Sequence, residues 1–379
     1  MAEENGNNNA ENIQVRGGML REGDAFGPYR AVKSLGKGGM GEVWLLQHED
    51  NGYLFAVKFL SGEGAGNRES RKRFLREAQL AMAVNHPNLV KVYDVGEDPD
   101  TGLCYILMEY VSGGTLRNRI REQGCLSVEE SLRIVRGIAS VLEATSAYRV
   151  VHRDIKPDNI LFTPEGVPKL SDLGIARVRT DKTLTTVTVD GSVIGTPVYM
   201  APEQVLDSHH VDVRADIYSL GIVLFEMLAG RRPWTDEGLV QMMARAVQRK
   251  EIIDVRNFRK SVPEAVSGLL RRMCAARVEQ RIASPRQIVN LCGSLLGEKS
   301  SPTAGLAPGV RRSPASGGRR TSSSAVPSRT PNISVGRARD AFSRLASESD
   351  EPVRRGPSPL VWVLGAIALL LLLCLLGRG

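Results

Sequence analysis

Between two apolar runs, the stretch VVHRDIKPDNILF (150–162) gathers His152, Arg153, Asp154, Lys156, Asp158 and Asn159. A carboxylate at Asp154 can accept a proton from a hydroxyl. Five residues on, the amide oxygen of Asn159 can ligate a divalent ion, and Asp172 in KLSDLGIAR offers a second hard oxygen. Carboxylate and carbonyl oxygens are the donors that Mg2+ prefers.

Upstream, LGKGGMGEVWLL sets Gly36, Gly38 and Gly41 ahead of Val43. Glycines at this spacing let backbone amides approach phosphates that side chains would block. The pattern alone also suits a flexible turn or a dinucleotide fold. A dinucleotide fold requires a helix next, whereas VWLLQHEDNGYLFAVKFL reads as a strand, an Asn-Gly turn and a second strand carrying Ala56 and Lys58. A lysine on an apolar strand is costly to bury without an anion. The helical stretch SRKRFLREAQLAMAV offers Glu77, with Phe74, Leu75, Ala78, Leu80 and Ala81 at its apolar positions. Taken alone, Lys58 and Glu77 read more readily as ordinary salt-bridging groups of a surface helix than as a pair that positions a phosphate. The charged loop at 152–159 reverses that preference.

The ordered set GKGGMGEVW, AVK, HRDIKPDN, SDLG, GTPVYMAPEQ and RADIYSLG resembles the eukaryotic-type serine/threonine protein kinases, and in wording their bacterial members. The resemblance runs from about 29 to 296. It implies an α+β, bilobal fold with a β-rich N-terminal lobe and a helical C-terminal lobe. It also implies ATP with Mg2+ or Mn2+ as cofactors, and Ser/Thr hydroxyls of proteins as acceptors. By the same resemblance, the loop of Leu35, Gly36, Lys37, Gly38, Gly39, Met40, Gly41, Glu42 and Val43 would cover the ATP phosphates. Lys58 would hold the α- and β-phosphates and Glu77 would orient it. Asp154 would be the catalytic base, Lys156 would stabilise the transferred phosphoryl group, and Asn159 and Asp172 would hold the metal.

Met108 falls at the gatekeeper position, and the backbones of Glu109 and Val111 would bond adenine. Val43, Ala56 and Leu161 would sandwich the ring, although ordinary core packing explains these three equally well. Thr196 would contact Asp154 and Lys156, Glu203 would pair with Arg281, and Asp216 would brace the catalytic loop through its backbone. Thr180, Thr183, Thr185, Thr186 and Thr188 crowd the activation segment, with Ser192 beyond them. Autophosphorylation there, in trans within a homodimer, would pair a phosphate with Arg153. Asp158 has no assigned chemistry and reads as solvated. One departure stands out: Asp172-Leu173-Gly174 replaces the usual Asp-Phe-Gly, keeping an apolar contact with less ring area.

The elements that must position these groups occupy only part of the 379 residues. Residues 1–27 form a polar opening segment, read as disordered. Residues 28–297 alternate apolar periodic segments with Gly, Pro and Asp turns, as a globular domain does. Residues 298–359 are rich in Ser, Pro, Gly and Arg and read as a disordered juxtamembrane linker. They hold eleven Lys and Arg against five Asp and Glu, so most of the net charge of +8 lies there. No aromatic-studded basic stripe appears in the body, which argues against nucleic acid as a partner. Residues 360–377, LVWVLGAIALLLLLCLLG, carry no charge. As a helix they would reach roughly 27 Å, near the bilayer hydrocarbon thickness.

The arginines before this stretch place the domain in the cytoplasm by the positive-inside rule, giving a single-pass anchor in a bacterial inner membrane. Five widely spaced cysteines with no CxxC pair fit a reducing compartment better than a disulfide framework or a thiolate metal site. Two other function classes remain open in principle. One is a catalytically silent scaffold of the same fold, disfavoured because Lys58, Glu77, Asp154, Asn159 and Asp172 are all present. The other is a small-molecule phosphotransferase, for which the peptide-docking stretch GTPVYMAPEQ has no use.

Overall fold

The computed structural model describes residues 20–298, except 39–40, 61–67, 99–101, 149, 173–196, 207–210 and 235–238. Outside the described residues lie 1–19 of the polar opening segment, 299–359 of the linker, the 360–377 stretch, Gly39, Met40 and the activation segment with Thr180, Thr183, Thr185, Thr186, Thr188 and Thr196. The end of the opening segment departs from the disorder expected through 27, because Ala25–Phe26 form a strand paired antiparallel with Tyr29 and Arg30. Among the described residues no helix is long and apolar enough to cross a membrane.

The N-terminal part is an antiparallel sheet of six strands in the order β1-β2-β3-β4-β6-β5. Its strands are β1 (Ala25–Phe26), β2 (Tyr29–Gly38), β3 (Gly41–His48), β4 (Leu54–Leu60), β5 (Val92–Glu97) and β6 (Cys104–Glu109). The strand, turn, strand order read from VWLLQHEDNGYLFAVKFL is present, with Gly52 at φ 71° in the turn between β3 and β4. Alternation along β4 separates two small cores. Val57 and Phe59 pack with Ala31, Trp44, Leu46 and Leu107 on one face. Leu60 packs on the other with Phe74 and Ala78 of helix α1 (Arg68–Ala83). Lys58 shares the face of Leu60, so the pleat turns its side chain toward the α1 side.

The C-terminal part is helical around one continuous apolar cluster. Helix α2 (Leu116–Gln123) is capped by Thr115, whose side chain accepts from Asn118 N. Helix α3 (Val128–Ser146) begins with a capping arrangement in which Ser127 accepts from Glu130 N. Leu132, Val135, Ile138, Ala139 and Leu142 form its buried stripe. Beyond the short helix α4 (Pro202–Leu206) comes α5 (Val213–Ala229), buried over most of its length and stopped by Gly230 at φ 68°. Helices α6 (Leu239–Gln248), α7 (Glu264–Met273) and α8 (Pro285–Leu295) complete this part.

Between the two parts lies the hairpin of β7 (Ile160–Phe162) and β8 (Pro168–Leu170). It is stitched to the sheet side on both flanks. Gly113 N donates to Phe162 O at 2.7 Å, Phe162 N to Gly114 O at 2.9 Å, and Val90 N to Leu170 O at 2.9 Å. A Cβ at Gly113 would lie 2.4 Å from Phe162 O and 2.5 Å from Thr163 O, so the approach requires glycine.

Candidate active site

The loop 152–159 is shaped by a carboxylate that takes no part in any exposed contact. Asp216, fully buried in the first turn of α5, accepts from His152 N and Arg153 N, each at 2.7 Å. Those two bonds support Arg153 at φ 64°, a left-handed conformation that a residue with a side chain adopts only at some cost. Burial pushes the Asp216 carboxyl up, while His152, its two backbone donors and Arg153 oppose that rise. His152, also buried, lies with Nε2 3.0 Å from Ser171 O. A carbonyl can only accept, so Nε2 carries the proton and Nδ1 accepts from Asp154 N at 3.3 Å.

This frame brings Asp154, Lys156 and Asn159 together. Lys156 Nζ donates to Asp154 Oδ2 at 2.9 Å. Asn159 Nδ2 donates to Asp154 O at 2.8 Å and to Asp154 Oδ2 at 3.1 Å. Both amide protons of Asn159 are thus spent on Asp154, which leaves its Oδ1 as the group's remaining donor atom toward a cation. The 3-10 turn Pro157–Asn159 carries Asn159 straight into β7, and Ser171 N donates to Asn159 O at 2.9 Å.

Asp172 follows at φ 52°, the second left-handed non-glycine residue at the site. Its Oδ1 accepts from Lys58 Nζ at 2.5 Å, which joins the sheet side to the loop side across the cleft. Burial works against the charge of Asp172, but Lys58, with further help from His152 and Lys156, outweighs it and holds the carboxyl below its ordinary range. Glu77 lies on α1, and its side chain falls outside the described residues. Lys58 is therefore seen with Asp172 as its partner.

Register places the remaining sheet residues. Val43 stands opposite Lys58, and Ala56 stands opposite Met108. Gly38 pairs with Gly41 at the tip of the β2–β3 ribbon, where Leu35, Gly36, Lys37 and Gly38 are exposed. Gly41 is held by packing: a Cβ there would come within 1.9 Å of Phe59 O. Glu42 accepts from Ser34 Oγ at 3.2 Å. Met108 lines an apolar recess with Ala81, Val92 and Leu170, which Asp172 also lines. Glu109 N donates to Lys91 O at 2.8 Å and its carboxylate accepts from Lys169 Nζ at 2.9 Å. Val111 and Leu161 are half-buried, with Leu161 bridged to Thr115.

Glu203 and Arg281 meet although 78 residues apart. Arg281 Nη1 and Nη2 donate to the two oxygens of Glu203 at 2.6 and 3.1 Å, with the arginine side chain fully buried. Arg281 also donates to Arg214 O at 2.7 Å and Ala275 O at 3.1 Å.

Asp158 differs from expectation. It is half-exposed, yet Arg117 reaches its Oδ2 at 3.3 Å, so it is an ion-pair acceptor and not merely solvated. Sequence reading also passed over Arg117, Tyr199, Glu226 and Gly113. A usable signal was Glu226, the one acid inside the apolar run GIVLFEMLAG, since a buried carboxylate demands donors.

The donor chemistry fits a divalent cation with nucleotide phosphates. Two hard oxygens, from Asp172 and Asn159, stand beside a lysine, which suits Mg2+ held by few protein ligands and completed by phosphate and water.

A family model described as the protein kinase domain matches residues 29–291. The serine/threonine-protein kinase PrkC of Bacillus subtilis is 39% identical over 249 residues, 66% of this chain and 37% of that protein. PknE of Mycobacterium bovis, another serine/threonine-protein kinase, is 36% identical over 278 residues, 73% of this chain and 46% of that protein. The chain thus spans less than half the length of these relatives. The crystal structure of the Mycobacterium tuberculosis PknI kinase domain superposes with a TM-score of 0.58 at 29% identity, covering 73% of this chain and 99% of that domain. By its α+β bilobal fold and this match over residues 29–291, the chain belongs to the protein kinase family, on the branch of its bacterial serine/threonine members.

Proposed function

We propose that the chain is a serine/threonine protein kinase that transfers the γ-phosphoryl group of ATP to protein hydroxyls. The observation that carries this reading is the convergence of Asp154, Lys156 and Asn159 in one hydrogen-bonded group, facing the Lys58–Asp172 pair. When bound, ATP supplies the γ-phosphoryl group and leaves as ADP, and Mg2+ or Mn2+ would neutralise charge on its phosphates. Asp154 orients the acceptor hydroxyl and takes its proton. Lys156, 2.9 Å from Asp154, supplies positive charge beside the acceptor. Lys58 holds phosphate oxygens, and Asn159 and Asp172 hold the cation. Purified chain given ATP, Mg2+ and a mixed protein acceptor should yield phosphoserine and phosphothreonine. Absence of transfer to any protein, the chain included, would overturn the reading.

The finer parts of the proposal rest on sequence. The Thr-rich activation segment is an autophosphorylation target, in trans within a homodimer. Mass spectrometry of wild type and Asp154→Asn should find loop phosphate only in the former. The uncharged 360–377 stretch anchors the chain in the inner membrane with the kinase domain in the cytoplasm. Cell fractionation tests this directly: deletion of 360–379 should release the chain into the soluble fraction.

A further inference from the structure

Arg117 sits in the first turn of α2, in a stretch whose polar residues look like an ordinary solvated helix face. Its side chain instead reaches three other segments. Nη1 donates to Glu226 Oε1 at 2.6 Å and Nη2 to Tyr199 OH at 2.5 Å. Nε and Nη2 reach Asp158 Oδ2 at 3.4 and 3.3 Å. Tyr199 OH in turn donates to Glu226 Oε2 at 2.6 Å.

Glu226 is the anchor of this cluster, with its side chain 6% exposed inside α5. A carboxylate there needs a donor for each oxygen, and Arg117 and Tyr199 supply them. Burial acts against the charge on Arg117, but Tyr199 and Glu226 outweigh it and bind the proton more firmly. Burial, seconded by Glu226, likewise pushes the Tyr199 phenol up, so it remains a donor at neutral pH.

What the cluster joins matters more than its strength. Asp158 lies between Lys156 and Asn159 in the turn that also positions Asp154. Tyr199 follows the GTP stretch that carries Thr196, and Ser219 Oγ of α5 donates to Tyr199 O at 2.7 Å. Helix α2 is itself tied to β7 through the Thr115–Leu161 bridge.

We infer that Arg117 is a positioning residue for phosphoryl transfer, tying the Asp158 turn and Tyr199 to the buried Glu226 so that the acceptor side of the site is set as one piece. The inference rests on the kinase reading above. It acts through Asp158 and Tyr199 and touches no reacting atom.

The test uses the full chain with two variants. Asp158→Asn is a near-isosteric change at a half-exposed position, so it leaves Glu226 paired and the fold intact. Arg117→Lys keeps the charge but loses the planar fork. Charge-assisted hydrogen bonds of this kind predict a fall in kcat/KM for a protein acceptor of about threefold for Asp158→Asn and about tenfold for Arg117→Lys, with KM for ATP unchanged. The double variant should be no worse than Arg117→Lys alone, because both changes remove the same contact. Multiplying effects would overturn the inference, as would a change confined to KM for ATP or no change at all.

Amide hydrogen exchange supplies a readout independent of activity. Arg117→Lys should speed exchange at both 155–160 and 197–201, and Asp158→Asn at 155–160 alone. Unaltered exchange at both segments in Arg117→Lys would overturn the clamp. Wild-type chain that transfers no phosphate would instead overturn the kinase reading, while the exchange result still decides whether Arg117 couples the two segments.

Discussion

The two walls of the cleft are held in different ways. On the helical side each group around the chemistry ends on a buried partner: the backbone of His152 and Arg153 on Asp216, the ring of His152 on Ser171 O, the guanidinium of Arg117 on Glu226. On the sheet side, residues 35–38 of β2 are exposed, and the apolar support consists of two small clusters in place of one continuous core. Lys58 crosses the gap to a partner on the other wall. Folding therefore preorganises the proposed acid–base groups, so little reorganisation would be required of them at the moment of reaction. The proposed phosphate side is fixed mainly by strand register and has fewer buried contacts to resist local opening.

The largest break in this comparison should come from Asp154→Asn. It removes the proposed base while keeping size and most hydrogen-bonding capacity, so the fold should survive. Initial rates of phosphate transfer should fall by about 100- to 10,000-fold, the usual span for general base catalysis. Retention of most of the rate with an unchanged melting curve would show that Asp154 is not the base.

Asp216 and Lys58 then separate the walls. Asp216→Ala strands two buried N–H donors and should lower stability by about 2–5 kcal/mol in denaturant titration, as buried polar groups that lose their partner do. Lys58→Met removes a partly exposed ion pair and should cost less than about 1 kcal/mol. Transfer should nonetheless be crippled in both. Equal stability losses would erase the distinction drawn between the walls.

How much of this was legible in the sequence follows from where each partner lies in the chain. The loop 152–159 announces itself because its charges sit between apolar flanks, and the strand, turn, strand order after the glycines set the N-terminal sheet apart from a dinucleotide fold. Asp216 and Glu203 with Arg281 were named only through the family resemblance, since nothing in RADIYSLG or EQRIAS alone specifies a distant partner. Arg117 was invisible because its partner Glu226 is 109 residues away, and in TLRNRI it looks like any arginine on a solvated helix. Lys58 shows the same limit. Sequence offered Glu77, whose side chain lies outside the described residues, and did not offer the contact to Asp172, 114 residues on. Local pattern reports that a buried charge needs a partner; only the packed chain says which one.

Gly113 sharpens the comparison where the walls join. Alanine there would push a Cβ against Phe162 O and Thr163 O, both backbone atoms, and should cost about 1–3 kcal/mol as overpacking. A Cβ at Gly36, in the exposed part of β2, meets nothing within 4 Å. Gly36→Ala should thus leave the thermal midpoint nearly unchanged, while Gly113→Ala lowers it. Similar midpoints for the two would mean that the 113–162 contact yields freely and the hairpin is not fixed by it.

The smallest expected effect lies in the Lys58–Asp172 ion pair, which bridges the walls. Lys58 holds the Asp172 carboxyl below its ordinary range against the opposing effect of burial. A depressed carboxylate stabilises the fold fully above its unfolded value, and that contribution is lost as pH falls through the folded value. Asp172 is 38% exposed, so solvent screening limits the contribution to about 0–1 kcal/mol. Asp172→Asn suits the test because asparagine tolerates the left-handed backbone at φ 52°. Stability measured by denaturant titration from pH 7 down to pH 3 should show wild type slightly ahead at neutral pH, with the gap closing in acid. A gap that widened as pH fell would mean that the pair does not depress Asp172, and that the bridge between the walls owes nothing to its charge.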